Sequence, residues 1–594
     1  MTTKRKKRRG ATPCLSSSAA AAERSGGGSR GSDVPPAGVA GTRAQPRGRV
    51  ELVILLTLFF SYGYFHQGGG WNQNARFDQV RAIVEAGRLS INGHLVYHAQ
   101  SQPASARRLQ RGAVPPGANP NNIAKVGNSG DVSQYDGFFY PNKPPGVVFA
   151  AVPAYFLIVG IHRLLGNDLT TWTTLTVSLY LTVAFSIGLA GALAGVAYYR
   201  LARELFPYAP AWTHAAGTLT LGLGTMMFPF STLFFDHVLV AGLLLWSLLL
   251  IVWVRKASAG STGATPMNAR SVGWLFLAGL LIGFGIMCNY LVAVCAILYS
   301  AYALQVLRPR GLVLWLWSGA LLPVSLLAWY HLVCFGSVLA NANTNQASMF
   351  ESKDLWFGLF GVPQLEILGK ILFSEYRGLF FTSPVLLLAA LAWVRMAWRK
   401  QIPAELVLCG AVFLSFLAIN SAFQGEGWSP WSGGWSFGPR YLIPGMALLA
   451  VALVPAFAWL PRMTGVLAIG SVGMMLLGTA VDPQPPMGFL RPLTQYLLPL
   501  ATGSQVLVAN NPVSGPVSAN PIGVYEAWYY RVYSPDSFES RWNSFNLGEL
   551  IFPESLLSLA PLLLLLAGGA WAAWRGARAE GGKLLAARPR AQVG

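Results

Sequence analysis

The chain has 594 residues, 53% of them hydrophobic and 11% charged, with a mean hydropathy of +0.45. Many apolar runs approach the roughly 20 residues needed to cross a bilayer, which excludes a string of soluble domains and points to an all-α polytopic membrane protein. The formal charge of +20 is not a nucleic-acid footprint: Lys4-Arg5-Lys6-Lys7-Arg8-Arg9 sits in a tail, and most other cations flank apolar runs, as the positive-inside rule and anionic lipid favour.

In chain order, residues 1–49 are rich in Gly, Ala, Ser, Pro and Arg and cannot bury a core, so a disordered, basic, cytoplasmic tail is expected. A long polar stretch separates the basic hexamer from the run at 50–65. That run therefore reads as an uncleaved first helix rather than a signal peptide. Further spans are predicted at 172–199, 212–231, 235–254, 272–289, 290–306, 311–332, 378–394, 402–421, 440–458, 464–481 and 555–574, twelve with the first. The run at 147–165 is left over. If it lies along the interface, Arg200, Arg203, Arg255, Lys256, Arg270, Arg308, Arg310, Arg395, Arg399, Lys400, Arg462, Arg575, Arg578 and Lys583 all fall in cytoplasmic loops. If it crosses, all of them face outside, so the positive-inside rule favours an interfacial helix. The expected organisation is the tail, a transmembrane domain over 50–481 with an external loop at 66–171, an external loop at 482–554, and a last helix and cytoplasmic tail over 555–594. Both termini are then cytoplasmic, and chemistry belongs on the outer face.

The first external loop is bracketed by Asn72-Gln73-Asn74-Ala75-Arg76-Phe77-Asp78 and by Asp131 to Gly146. The stretch from Arg76 to Gly87 reads as a short amphipathic helix, with Phe77, Val80, Ile83 and Val84 on one face and Asp78, Arg81 and Glu85 on another. Arg76 and Asp78 are expected to point into a cavity beneath it; a plain interfacial helix with a solvated charged face is the alternative. Asp131 and Asp136 lead to Tyr140 and Lys143. Pro144 and Pro145 forbid helix there and hold the Lys143 ammonium at the membrane surface, where it either meets a lipid phosphate or snorkels.

His237 follows Asp236 at the start of a membrane helix, and Arg377 stands in Glu375-Tyr376-Arg377-Gly378 before another. The segment from Gln424 to Arg440 carries Glu426, Trp428, Trp431 and Trp435, either an aromatic belt or a stacking surface for sugar rings. Arg440, a cation at an outer helix end, calls for an anionic partner such as a phosphate. The five cysteines, Cys14, Cys288, Cys295, Cys334 and Cys409, form no CxxC pair and no zinc spacing.

These clusters, in this order, resemble the GT-C superfamily of membrane glycosyltransferases, and within it the bacterial branch related to protein O-mannosyltransferases and lipid A aminoarabinose transferases. Arg76-Phe77 and Lys143-Pro144-Pro145 match that pattern; the wider pattern, with Asp131, the turn from Gly137 to Tyr140, Lys143-Pro144-Pro145-Gly146, Arg377-Gly378-Leu379-Phe380 and Gly438-Pro439-Arg440-Tyr441-Leu442, looks like a further bacterial group. The likeness spans roughly residues 50–575. It implies a polyprenyl-phosphate sugar as donor, a lipid, glycan or protein acceptor on the periplasmic side, and a place in the bacterial inner membrane, working on the cell envelope. Asp131 or Asp78 would be the catalytic carboxylate, and Lys143, Arg440 and Arg377 would bind the donor phosphate. Arg76, Asp136, Tyr140, His237 and Trp435 would position substrate. The superfamily has metal-dependent and metal-free members, and no ligand spacing here decides between them. One departure stands out: Asn72, Gln73 and Asn74 occupy the place where the better-known relatives carry an acid, and an amide is not a general base. The competing readings are a lipid-linked-sugar flippase or transporter, and a catalytically inactive assembly protein.

Overall fold

The computed structural model describes residues 49–68, 70–92, 94, 96–97, 110–111, 129, 131–169, 172–259, 269–340, 342, 360–423, 430–504, 506–508, 511–513, 544–552 and 555–586. The basic tail, Glu426 and Trp428 lie outside them. The described chain is a helical body with four two-stranded sheets in its loops.

By length and composition, nine helices among the described residues can cross a membrane, and two shorter apolar helices accompany them. All twelve expected runs are helical over most of their length. The first is α1 (Arg49–Tyr62), which is followed by α2 (Trp71–Ala86) and α3 (Gly146–Leu164). The run expected at 172–199 is longer than predicted. It comprises α4 (Trp172–Val183), a π turn at Ala184–Gly188 and α5 (Leu189–Leu205), and 32 of its residues form one continuous apolar helix. Next come α6 (Ala211–Leu223), α7 (Met227–Ser231), α8 (His237–Ala259), α9 (Ala269–Cys288), α10 (Val292–Val306) and α11 (Val313–Phe335). The expected span at 212–231 thus breaks after Leu223, and the one at 378–394 breaks at Ser383-Pro384. There α13 (Leu379–Thr382), preceded by α12 (Leu365–Phe373), gives way to α14 (Val385–Trp398), because a proline disfavours helix in the residue before it. The remaining helices are α15 (Ala404–Ser421), α16 (Ile443–Leu449), α17 (Leu453–Trp459), α18 (Pro461–Val481), α19 (Leu498–Ala501) and α20 (Ala560–Ala586).

Small residues explain the tightest crossing. Gly279 and Gly283 of α9 and Gly319 of α11 lie directly against the partner helix, where any side chain would strike the backbone at Leu316, Ala320 or Phe276. Close backbone approach of this kind is how apolar helices associate when lipid is as greasy as they are. The α1 helix runs antiparallel to the continuous helix of α4 and α5: Tyr180 Oη of α4 donates to the Gly63 carbonyl at one end, and Arg200 Nε of α5 lies 3.1 Å from Glu51 Oε1 at the other.

The leftover run is α3, and by length it qualifies as a span. Its packing is lopsided. It rests on α2 and α4, and it meets α9 where Gly146 sits against Met287 and Cys288, the last turn of that helix. Its other side exposes Phe156, Leu157, Ile161 and Leu164.

Candidate functional site

The α2 helix ends at Gly87, whose φ of 61° lets its N–H and the next close on the carbonyls of Ile83 and Ala82. Successive residues turn by about 100°, so Asn72, Gln73 and Arg76 share one side and Asp78, Arg81 and Glu85 lie on the opposite one. The side chain of Arg76 is buried. Its Nη2 binds Asp236 Oδ1 at 2.9 Å and its Nη1 donates to the Phe234 carbonyl at 3.1 Å. The second oxygen of Asp236 accepts from Asn289 Nδ2 at 2.9 Å and stands 3.4 Å from His237 Nδ1. Burial alone would raise the pKa of Asp236, but His237, the Arg76 guanidinium and the Asn289 amide together hold it well below the usual carboxylate range. This carboxylate is therefore an anchor for Arg76 and a poor proton acceptor.

From Arg76 a row of cations extends outward. The guanidinium of Arg76 lies 5.8 Å from the Phe235 ring centre, and that of Arg440 lies over the same ring at 4.7 Å. His237 stacks on Phe235 at 5.8 Å and meets Tyr441 edge-on at 5.6 Å. Beyond Arg440 the chain turns through Gly433 and Gly434, with φ of 75° and 69°. A side-chain carbon on Gly433 would come within 3.1 Å of Arg440 Cγ, so glycine is needed both for the turn and for the approach. On the far side of this turn, Arg377 Nη2 donates to the Gly434 carbonyl at 3.1 Å and to the Pro485 carbonyl at 3.2 Å. The side chain of Arg377 is fully buried, and burial lowers its pKa to about 10. The buried Nε atoms of Arg76, Arg440 and Arg377, and Nη1 of Arg377, have no acceptor among the described residues. Neither Arg377 nor Arg440 forms an ion pair with a described carboxylate. The site thus gathers three guanidiniums and is short of anions.

The other expected residues fall in two further neighbourhoods. Asp78 is turned away from Arg76. It lies 3.5 Å from Arg81 in a buried cluster with Glu85, His94 and Tyr155, whose hydroxyl donates to Glu85 at 2.6 Å. The expectation that Arg76 and Asp78 share a cavity is overturned by helix geometry, since residues two apart point about 200° apart. Asp131 stands at the open end of a hairpin, Val132–Tyr135 paired with Phe138–Pro141. It is half-buried, and Asn142 Nδ2 donates to it at 3.4 Å. Lys143 follows Asn142 directly and is also half-buried. Asp136 is exposed at the hairpin tip, where its φ of 48° and the 76° of Gly137 make the two-residue turn. Tyr140 packs on Phe335, and burial raises its pKa to about 12. Trp435 is half-buried beside the glycine turn.

Several residues of the site were not singled out from sequence. They are Phe235, Asn289, Asp482 and Gln484, with Asp236 noticed only as the neighbour of His237 and Tyr441 only as part of the motif around Arg440. Asp482 follows α18 and is buried. Its oxygens accept from the Gln484 N–H at 2.7 Å and from Tyr496 Oη at 2.9 Å. Burial raises its pKa to about 7, against these bonds and the nearby Arg377 charge. A Tyr290–His331 hydrogen bond of 2.9 Å lies next to Asn289. The available signal was the Asp236-His237 pair opening an apolar helix. Among the described residues no group of three His, Cys, Asp or Glu side chains is placed to hold a metal ion.

No family model matches the chain, and no curated protein matches it. Solved structures do. ArnT from Cupriavidus metallidurans bound to undecaprenyl phosphate is 15% identical, with a TM-score of 0.41 over 89% of this chain and 75% of that one. The Archaeoglobus fulgidus oligosaccharyltransferase in its apo form is 12% identical, with a TM-score of 0.38 over 88% of this chain and 64% of that one. The archaeal oligosaccharyltransferase AglB from the same organism, in complex with an inhibitory peptide and a dolichol-phosphate, is 13% identical, with a TM-score of 0.39 over 87% and 63%. The chain thus spans less than two thirds of the length of the archaeal enzyme.

Proposed function

We propose that this chain is a membrane glycosyltransferase that moves a sugar from a polyprenyl-phosphate donor to an acceptor on the external, periplasmic face. The observation that carries this reading is the row Arg76–Arg440–Arg377. Three guanidiniums gathered around one aromatic ring and one glycine turn repel one another, and their unused N–H groups are buried. A phosphate relieves both costs at once, because it brings negative charge and several acceptor oxygens. The row stands at the end of α8 opposite Arg255 and Lys256. That placement suits a lipid phosphate entering from the outer leaflet.

In this reading an acceptor hydroxyl or amine attacks the anomeric carbon, and the lipid phosphate departs with the bonding electrons. Arg440 and Arg377 neutralise the charge that develops on it, while Asp236 holds Arg76 in line with them. Asp131 takes the acceptor's proton. It is half-buried rather than locked in an ion pair, and it lies across the hairpin from the residue that precedes Lys143. The mutual approach of α3 and α9 at Gly146 supports an interfacial α3 and an outer site, with both termini cytoplasmic.

The decisive experiment measures binding of undecaprenyl phosphate to purified protein. Arg440→Gln and Arg377→Gln should each weaken it by about 1.5–3 kcal/mol, the usual worth of a hydrogen bond to a charged group, or roughly ten- to a hundredfold in Kd. Unchanged affinity in both variants would remove the phosphate role and the enzyme reading with it.

A further inference from the structure

We infer that Asn72 and Gln73, with Gln484 and Trp435 beside them, form an uncharged subsite for the sugar ring of the lipid-linked donor, and that the sugar is a neutral, hydroxyl-bearing one. The inference rests on the reading of the guanidinium row as a phosphate site and deepens it.

Asn72 and Gln73 occupy the first turn of α2, three and four residues before Arg76 and on the same side of the helix. They are 9% and 1% exposed. Gln73 Nε2 donates to Gln484 Oε1 at 2.9 Å, across 411 positions of sequence, and Gln484 Nε2 reaches the Trp435 carbonyl at 3.5 Å. Yet Asn72 Oδ1 and Gln73 Oε1 are buried with no donor among the described residues. A buried carbonyl oxygen left unpaired is costly, and it points to a ligand that brings hydroxyl groups. Such oxygens only accept, so they match sugar O–H donors and offer nothing to a phosphate. Their distance from the phosphate row is also right. Side chains three and four apart on a helix are about 5–6 Å apart, roughly the width of one sugar ring joined to the phosphate. Trp435 joins this group through its main-chain carbonyl, which Gln484 Nε2 reaches.

The choice of amides sets the class of sugar. An acid at this turn would welcome an ammonium group. Amides give it no charge to pair with, and the three guanidiniums next to them repel it. A neutral hexose meets neither obstacle.

The test compares two probes on the full-length protein in nanodiscs: bare undecaprenyl phosphate, and undecaprenyl phosphate carrying glucose, galactose or mannose. At least one neutral hexose should tighten binding about tenfold over the bare lipid. Asn72→Leu and Gln73→Met should each cut that gain severalfold while binding the bare lipid as the wild type does, which also reports an intact fold. Gln73→Glu, of nearly the same shape, guards against collapse at Gln73→Met and should restore affinity for an aminopentose-bearing lipid. The inference is overturned if no neutral sugar tightens binding, or if the gain survives in both Asn72→Leu and Gln73→Met. If the wild type binds neither lipid, the phosphate reading fails first and the subsite falls with it. If the bare lipid binds but the sugar adds nothing, the phosphate reading stands and only the subsite is lost.

Discussion

Asp482 and Asp131 are carboxylates with opposite prospects. Burial raises the pKa of Asp482 to about 7 in the folded state, against 3.8 for the free side chain. The native state therefore holds this proton more tightly than the unfolded chain does. The stabilisation is complete below about pH 4 and is lost as pH rises through about 7. Asp482→Asn, which imitates the protonated acid, should flatten the decline of Tm between pH 5 and pH 8 and leave the variant more stable than the wild type at pH 8. Parallel Tm curves for the two proteins would contradict this. Asp131, by contrast, is half-buried at the open end of its hairpin. Asp131→Asn should lower turnover by roughly a hundredfold or more and leave donor affinity nearly unchanged, as expected when only a proton acceptor is lost. A loss of donor affinity with normal turnover would assign it to binding instead. At this scale the cations were legible, because an arginine at an outer helix end is unusual enough to demand an explanation. Their partners were not. Arg76 meets Asp236 from 160 positions away and Arg377 meets Pro485 from 108, and no local pattern in the sequence carries that information. Asp78 turns toward Arg81 and away from Arg76 because residues two apart on a helix point about 200° apart, so nearness along the chain is not nearness in space.

Among the elements, α3 is the one whose placement decides the orientation of everything after it. It meets α2 through the Tyr155 side chain and α9 through the Gly146 backbone, while Phe156, Leu157 and Ile161 face away. A helix lying along the outer surface satisfies both halves. A single cysteine introduced at residue 168, just past α3, should then react with a membrane-impermeant thiol reagent added outside intact cells. One at residue 311, between α10 and α11, should react only after permeabilisation. The reverse pattern would make α3 a crossing helix and exchange the two faces. The helices themselves were readable because a run of about 20 apolar residues has few other uses. Their interruptions were read less well. The break at Ser383-Pro384 had a proline to announce it, whereas the π turn at Ala184–Gly188 is one residue wound into an otherwise regular helix and leaves no trace in the pattern of apolar residues.

Across the whole molecule, charge is sorted by end. The end opposite the guanidinium row carries Arg200–Glu51, Arg203–Glu580, Lys256–Glu204 and Arg255–Glu405. Three of these pairs are open to solvent on both partners, and such pairs contribute about 0–1 kcal/mol each. They cannot be what holds the body together; close helix packing of the kind seen at Gly279, Gly283 and Gly319 does that. At the end near α2, Arg377 is buried and Arg440 half-buried, and neither pairs with a described carboxylate, an arrangement that adds nothing to stability until an anion arrives.

A protein loop can gain or lose a residue at little cost, but the helix from Thr174 to Leu205 cannot. It is 32 residues long, about 48 Å at 1.5 Å per residue, against a hydrocarbon layer of about 30 Å. It is also tied at two heights, at Tyr180 to Gly63 and at Arg200 to Glu51. Deleting one residue from the regular helix between Leu189 and Tyr199 would twist one part against the other by about 100° and shorten it by about 1.5 Å, so that one tie could be kept only by giving up the other. Length here behaves like a key cut to its lock: between the two ties, viable changes come in whole turns or not at all.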